Sequence, residues 1–191
     1  MAKIESSFRN MLLSLTLISL GASAALGFVY ELTKGPIEAT KLAKKLDAIR
    51  LVVPEFNNNP DEEMYKLPSG EGDSLEIYPA RKDDKIIGYA VRTYSNAGFS
   101  GDISLMTGFL PDGTIHNITV LDQKETPGLG NKMSEPKFKD QFTGKNPSVF
   151  SLKVKKDGGQ VDAITAATIS SRAFCDAVQR AYYTLFKTVP E

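Results

Sequence analysis

The chain has 191 residues, with 23 Lys and Arg against 23 Asp and Glu, so it lacks the basic excess that a nucleic-acid partner demands. Hydrophobic residues make up 41%, with seven Tyr and ten Phe, which suffices for a packed core and excludes wholesale disorder. One cysteine, Cys175, and one histidine, His116, exclude an intramolecular disulfide and leave no Cys/His cluster for a metal, so redox chemistry, if there is any, must come from a bound organic cofactor.

The first element is "MLLSLTLISLGASAALGFVY", Met11 to Tyr30, uncharged between Arg9 and Glu31. A helix of about 20 residues rises about 30 Å, the thickness of a bilayer core. Phe28 and Tyr30 at its far end suit an interfacial aromatic belt. A cleaved signal peptide competes, with Lys3 and Arg9 as its basic region and Ala22 to Ala24 as its cleavage site. The apolar run continues to Val29, which favours a retained single anchor. Lys34, Lys41, Lys44, Lys45 and Arg50 follow the span and outnumber the cations before it, so the charge rule alone places the C-terminal part in the cytoplasm.

Beyond the span, Ile37, Leu42, Leu46 and Ile49 fall on one stripe of an amphipathic helix that starts at Pro36 and ends by Pro54 and the Asn57–Pro60 run. The centre alternates as antiparallel sheet. Leu75 and Ile77 face Ile87, Tyr89 and Val91 across an Asp83-Asp84 turn. Ile103, Leu105, Ile115, Ile118 and Val120 form a second hairpin around Pro111-Asp112-Gly113. His116 lies among strand residues and takes a structural or surface role. "NAGFSG" joins the hairpins, and "QKETPGLGNK", Gln123 to Lys132, breaks the pattern. A short helix from Ser134 follows, then a strand pair around Asp157-Gly158-Gly159. The last helix runs from about Ser171 to Lys187, with Phe174, Ala177, Val178, Ala181, Leu185 and Phe186 on its packing face and Cys175 and Tyr182 as core and flank.

Where that helix begins, "DAITAATISSR" gathers Thr165, Thr168, Ser170 and Ser171 around Ala166 and Ala167. A helix start offers unpaired N–H groups and the positive end of the dipole, so it favours a phosphate. Two alanines let such a group approach the backbone, with the Thr168 hydroxyl inside the site. The simpler reading, favoured by pattern alone, is that Thr168 or Ser170 caps the helix.

The same stretch resembles the flavinylation motif of the covalent-FMN domain family: Asp162, Thr165, Ala166, Ala167, Thr168 and Ser170 each match, with alanine at 166 where glycine is more usual. "KETPGLG", Lys124 to Gly130, resembles the Glu-Thr-Pro-Gly-Leu-Gly loop of electron-transport proteins related to the G component of Rnf complexes and the C component of Nqr complexes. "AGFSG", Ala97 to Gly101, is similar to a third, weaker signal of that family. The resemblance implies an α+β fold: one N-terminal transmembrane helix, then an antiparallel-sheet FMN-binding domain with flanking helices. It implies FMN attached through Thr168 as a phosphoester by a flavin transferase that recognises Asp162, Thr165, Ala167 and Thr168. Cofactor-binding residues would be Gly98, Phe99, Ser100, Glu125, Thr126, Gly128, Leu129, Thr165, Ala166 and Ala167, with Phe99 stacking or simply core. Lys132 and Lys137 are solvated surface lysines or lie near reduced flavin.

On this resemblance, closer to the Rnf G component than to its longer Nqr counterpart, the chain is an electron relay in a bacterial inner-membrane, ion-translocating ferredoxin:NAD⁺ oxidoreductase. Its partners are the other membrane and soluble subunits, its sheet domain lies on the periplasmic side, and no catalytic residue of its own is required. The division is then 1–10 cytoplasmic N-terminus, 11–30 anchor, 31–72 helical connector and 73–191 FMN-binding domain. The alternatives are the C component of an Nqr-type, Na⁺-translocating NADH:quinone oxidoreductase, a cofactor-free membrane-anchored interaction module, and a reductase acting alone, which the lack of a Gly-x-Gly-x-x-Gly fingerprint disfavours.

Overall fold

The computed structural model describes residues 7–70 and 73–187; Lys3 and most of the segment read as a cytoplasmic N-terminus lie outside them. The chain divides into a helical unit that ends at Ala43 and a folded unit that begins at Lys44.

Helix α1 spans Phe8–Val52 and passes through Pro36 without a break, so the second helix expected to start there is a continuation of the first. Proline has a helical φ and lacks only its own N–H, so a long helix can absorb it at the loss of one bond and a bend. Thr33 and Thr40 turn their hydroxyls back onto the helix: Thr33 donates to the Val29 carbonyl at 2.8 Å and Thr40 to the Pro36 carbonyl at 2.8 Å. Leu12, Leu15, Leu17, Leu20, Leu26 and Phe28 are all exposed, and this stretch is long and apolar enough to cross a membrane.

In the folded unit, β1 (Tyr65–Pro68), β2 (Ser74–Lys82), β3 (Lys85–Ser95), β4 (Ile103–Phe109) and β5 (Ile115–Asp122) form one antiparallel sheet in sequence order. Asp83 and Asp84 both take positive φ, 51° and 63°, the conformation of a tight two-residue hairpin. At the other hairpin Gly113 has φ 84° and Asp112 accepts the Thr114 N–H at 2.9 Å. β1 has no counterpart in the sequence pattern, where its residues read as helical connector. It is a short, mostly exposed edge strand ending on Pro68, so it shows no buried alternation to detect. β5 carries two bulges. His116 is the extra residue between the Phe109–Ile115 and Gly108–Asn117 pairs, which puts Ile115 and Ile118 on the same face despite their odd spacing.

Each face of the sheet carries a helix. Leu75, Ile77, Val91, Leu105, Phe109 and Ile118 pack beneath α3 (Thr168–Phe186), where Phe174, Ala177, Val178 and Ala181 are buried. Thr93 donates to the Ala177 carbonyl at 2.8 Å and Ser95 to Asp176 at 2.7 Å, which fixes α3 along β3. Phe138, on the one-turn helix α2 (Pro136–Lys139), packs with Phe142 and Phe174 at centroid distances of 5.7 and 5.2 Å, and those two rings lie 5.0 Å apart. In place of the strand pair expected near Asp157 there is one parallel bridge, Val154 to Val161, around a 3₁₀ turn. Cys175 is buried in the same core, and burial pushes its thiol up to about 12.

On the opposite face, Ala48, Ile49, Val52 and Val53 cover Tyr78, Ala80, Ala90 and Met106. The Asn117 side chain donates to the Leu51 carbonyl at 2.8 Å, satisfying one of the carbonyls left open at the helix end. Gly108 makes this approach possible, because a Cβ there would collide with the Val52 backbone carbonyl. Gly108→Ala is therefore expected to cost about 1–3 kcal/mol by overpacking. The check is the melting temperature of the detergent-solubilised chain, which should fall.

Candidate functional site

Three segments far apart in sequence converge on Glu125. Its side chain is only 5% exposed. The Ser100 backbone N–H donates to Oε1 at 3.0 Å, and the Ser170 hydroxyl donates to Oε2 at 2.5 Å. The Glu125 N–H is in turn held by the Gln123 side-chain carbonyl at 2.6 Å. Two glycines make room for this carboxylate. A Cβ on Gly130 would stand 2.6 Å from both Glu125 Oε2 and Ser170 Oγ, and one on Gly98 would stand 2.9 Å from Glu125 Oε1.

The approach to α3 is built by a second serine. Ser171 Oγ accepts the Ile164 N–H at 2.9 Å and donates to the Ala167 carbonyl at 2.9 Å, closing the loop before the helix. Within that loop Ala166 has φ 60°, the left-handed conformation that costs an L residue with a Cβ roughly 1–2 kcal/mol. The turn thus favours glycine at 166, and alanine is the smallest side chain that can replace it. The residue at the cap position is Ala167, and no side chain caps the helix. Capping by Thr168 or Ser170 is thereby ruled out: Thr168 is the first helical residue, and Ser170 is bonded to Glu125. Among the described residues the Thr168 hydroxyl makes no hydrogen bond.

A pocket of about 350 Å³ opens between these segments. Its walls include Phe99, Glu125, Thr126 and Leu129 from the two loops, and Ala166, Ala167 and Thr168 from the helix start. The sequence motifs did not mark Ile169, and they gave Ser170 and Gly130 no contact with a ligand; all three also line it. Ile169 occupies a variable position of the motif, so no residue-type signal was available. Phe99 is 67% exposed, Leu129 40% and Ile169 46%, an apolar rim around a site with few polar groups. Phe99 is therefore a rim residue and not part of the core.

The other candidates stand around the pocket without lining it. Gly98 is a spacer beside Glu125, and Ser100 acts through its N–H. Gly128, with φ 78°, shapes the loop by donating its N–H to the Asn131 side chain at 2.8 Å. Asp162 and Thr165 line a separate hollow of about 200 Å³ with Lys132 and Lys137. Asp162 exchanges hydrogen bonds with the Gln141 side chain through its backbone N–H (2.8 Å) and carbonyl (3.2 Å). Its exposed carboxylate meets Lys155 at 2.8 Å. Arg172 grips Asp157 with two 2.7 Å bonds, and these hold the Asp157 carboxyl below the usual range.

Known proteins resemble this chain in sequence and in fold. Residues 98–183 match the model of the FMN-binding domain family. The chain is 34% identical over 178 residues to the G component of the Na(+)-translocating ferredoxin:NAD(+) oxidoreductase complex of Acetobacterium woodii, covering 87% of this chain and 86% of that one. It is 37% identical over 174 residues to the G component of the ion-translocating oxidoreductase complex of Erwinia tasmaniensis, covering 85% and 81%. The fold is similar to the crystal structure of the C component of Na(+)-translocating NADH-quinone reductase from Parabacteroides distasonis, with TM-score 0.50, 24% identity and coverage of 72% and 73%.

The left-handed turn at Ala166 generates a stability test. Ala166→Gly should melt at or above the wild-type temperature, whereas Ala166→Val, β-branched at positive φ, should lose roughly 1–2 kcal/mol in urea unfolding. A valine variant as stable as the parent would mean that the turn carries no strain.

Proposed function

From the premise that the chain belongs to the family of G components of ion-translocating oxidoreductase complexes and carries an FMN-binding domain, we propose that it relays electrons within such a complex through FMN joined to Thr168 by a phosphoester. The observation that carries this reading is the uncapped start of α3, where the Thr168 hydroxyl, without a hydrogen-bond partner, lines an apolar-rimmed pocket. The residues present fit the group. The first turn of α3 offers backbone N–H groups and the positive dipole end to a phosphate. Ala166 and Ala167 leave that approach open, and Phe99, Leu129 and Ile169 offer apolar surface to a flat heterocycle.

One-electron transfer is chemistry the flavin supplies when bound, and the protein's part is to position it. Thr168 Oγ anchors the phosphate. Glu125, Gly98 and Gly130 hold the two loops against the start of the helix. No general acid or base is needed, in keeping with a site whose one carboxylate, Glu125, is bonded to Ser170 and Ser100. A covalent tether suits a shallow pocket with an exposed rim, where noncovalent burial is limited. Asp162 and Thr165, on the neighbouring hollow, remain accessible to a flavin transferase that installs FMN from FAD.

The reading extends to the membrane. Residues 11–30 form the anchor, residues 1–10 precede it on the cytoplasmic side, and the domain read from 73 onward faces the periplasm of a bacterial inner membrane. The last turns of α1 and β1 join that domain as part of the folded unit from Lys44. The other membrane and soluble subunits of the complex are its partners. The coupled reaction is that in the name of the Acetobacterium relative, ferredoxin:NAD⁺ oxidoreduction with ion translocation.

Two outcomes test the proposal. Protein matured with its flavin transferase should keep flavin absorbance after denaturation and gain the mass of FMN less one water, and Thr168→Ala should lose both. Colour that washes out on denaturation rules out the ester. For orientation, Lys156→Cys on the exposed 3₁₀ turn should react with a membrane-impermeant maleimide in intact spheroplasts, against a background kept low by the buried Cys175. Labelling only after lysis would place the domain inside.

A further inference from the structure

Resting on the reading that the pocket holds a flavin, we infer that Glu125 is a positioning residue that both assembles the pocket and sets its reduction potential.

The positioning half follows from geometry. Glu125 is nine-tenths buried or more, yet it lines the pocket. Each oxygen is engaged by a donor from a different segment, Ser100 before β4 and Ser170 in the first turn of α3. Gly98 and Gly130 carry no side chain where one would overlap this carboxylate. Removing it leaves the buried Ser170 hydroxyl and the Ser100 N–H without their acceptor, and among the described residues no other hydrogen bond joins the two loops to the first turn of α3.

The electrostatic half follows from what does not accompany the carboxylate. Among the described residues no lysine or arginine forms an ion pair with Glu125, so hydrogen bonds alone compensate its charge. The pocket around it is walled by Phe99, Leu129, Ile169 and two alanines with three hydroxyls between them, and beside such mostly apolar surface a charge acts more strongly than in water. Reduction adds an electron to a bound flavin, and a fixed negative charge in the wall opposes that. Glu125 therefore lowers the potential.

Glutamine separates the two roles. In Glu125→Gln the side-chain oxygen still accepts from Ser100, and the amide can donate to Ser170 Oγ, so the shape persists while the charge is gone. The test is a potentiometric titration of the flavin absorbance in the full-length, flavinylated chain in detergent. Glu125→Gln should retain flavin, melt near wild type and favour the reduced flavin about tenfold, a rise of about 59 mV for one electron. Glu125→Asp keeps the charge but shortens the reach, so it should hold the wild-type potential while melting lower. An unchanged potential in the glutamine variant, or the same shift in the aspartate variant, overturns the electrostatic role. Glu125→Ala melting with the wild type overturns the positioning role. A wild-type chain that carries no flavin after maturation sinks the reading of the pocket itself, and the alanine variant's melting temperature still decides the positioning role.

Discussion

The hydrogen bonds that converge on Glu125 decide where the pocket is. The loop after β3, the loop after β5 and the first turn of α3 have no continuous backbone ladder between them, and the Glu125 carboxylate is their common acceptor. A buried carboxylate without donors is strongly unfavourable, so the three segments are held in the one arrangement that satisfies it. The constraint passes outward. Gly130 and Gly98 must lack side chains, and the Ser170 hydroxyl must turn towards Glu125. The helix that carries Ser170 is itself fixed to the sheet through Thr93 and Ser95, so the latch is referred to a rigid frame.

Once two serines are committed, the third hydroxyl at the start of the helix is left over. Ser171 closes the loop, Ser170 serves Glu125, and Thr168 has no partner among the described residues. A helix start without a side-chain cap is unfavourable in isolation. Here it coincides with a left-handed alanine, and backbone strain of this kind clusters where a ligand completes the structure. A phosphate at these N–H groups would supply the missing cap, which links the local instability of this turn to the function proposed for it.

The scaffold separates the tasks of anchoring and binding. The apolar stretch of α1 is exposed on every side and suits a membrane, while the last turns of the same helix are buried against the sheet. The helix thus ends inside the folded unit, with its Leu51 carbonyl held by Asn117. The pocket is built from the loop between β3 and β4, the loop after β5 and the start of α3, so variation there need not disturb the sheet.

The sequence by itself determined a stretch long and apolar enough to cross a membrane, the two hairpins with their turns and the packing face of α3. Each of these rests on local chemistry: uncharged length, period-two or helical spacing, and turn residues such as Asp83-Asp84 and Asp112-Gly113. Two short motifs also marked Glu125, Leu129 and Ala166 as neighbours of one site. Only the tertiary structure decided what those residues do. That α1 runs through Pro36 depends on a helix long enough on both sides to absorb the missing N–H bond. The edge strand β1 is fixed by pairing with β2, because four mostly exposed residues leave no alternation. The motif marks Glu125 as a cofactor contact, but it does not show the two donors its carboxylate meets, which lie 25 and 45 residues away. Ile169 joins the wall through the direction of the helix, and the hydroxyl at Thr168 is left over because Ser170 and Ser171 are engaged elsewhere. Contacts of that span are set by packing, and no local pattern encodes them.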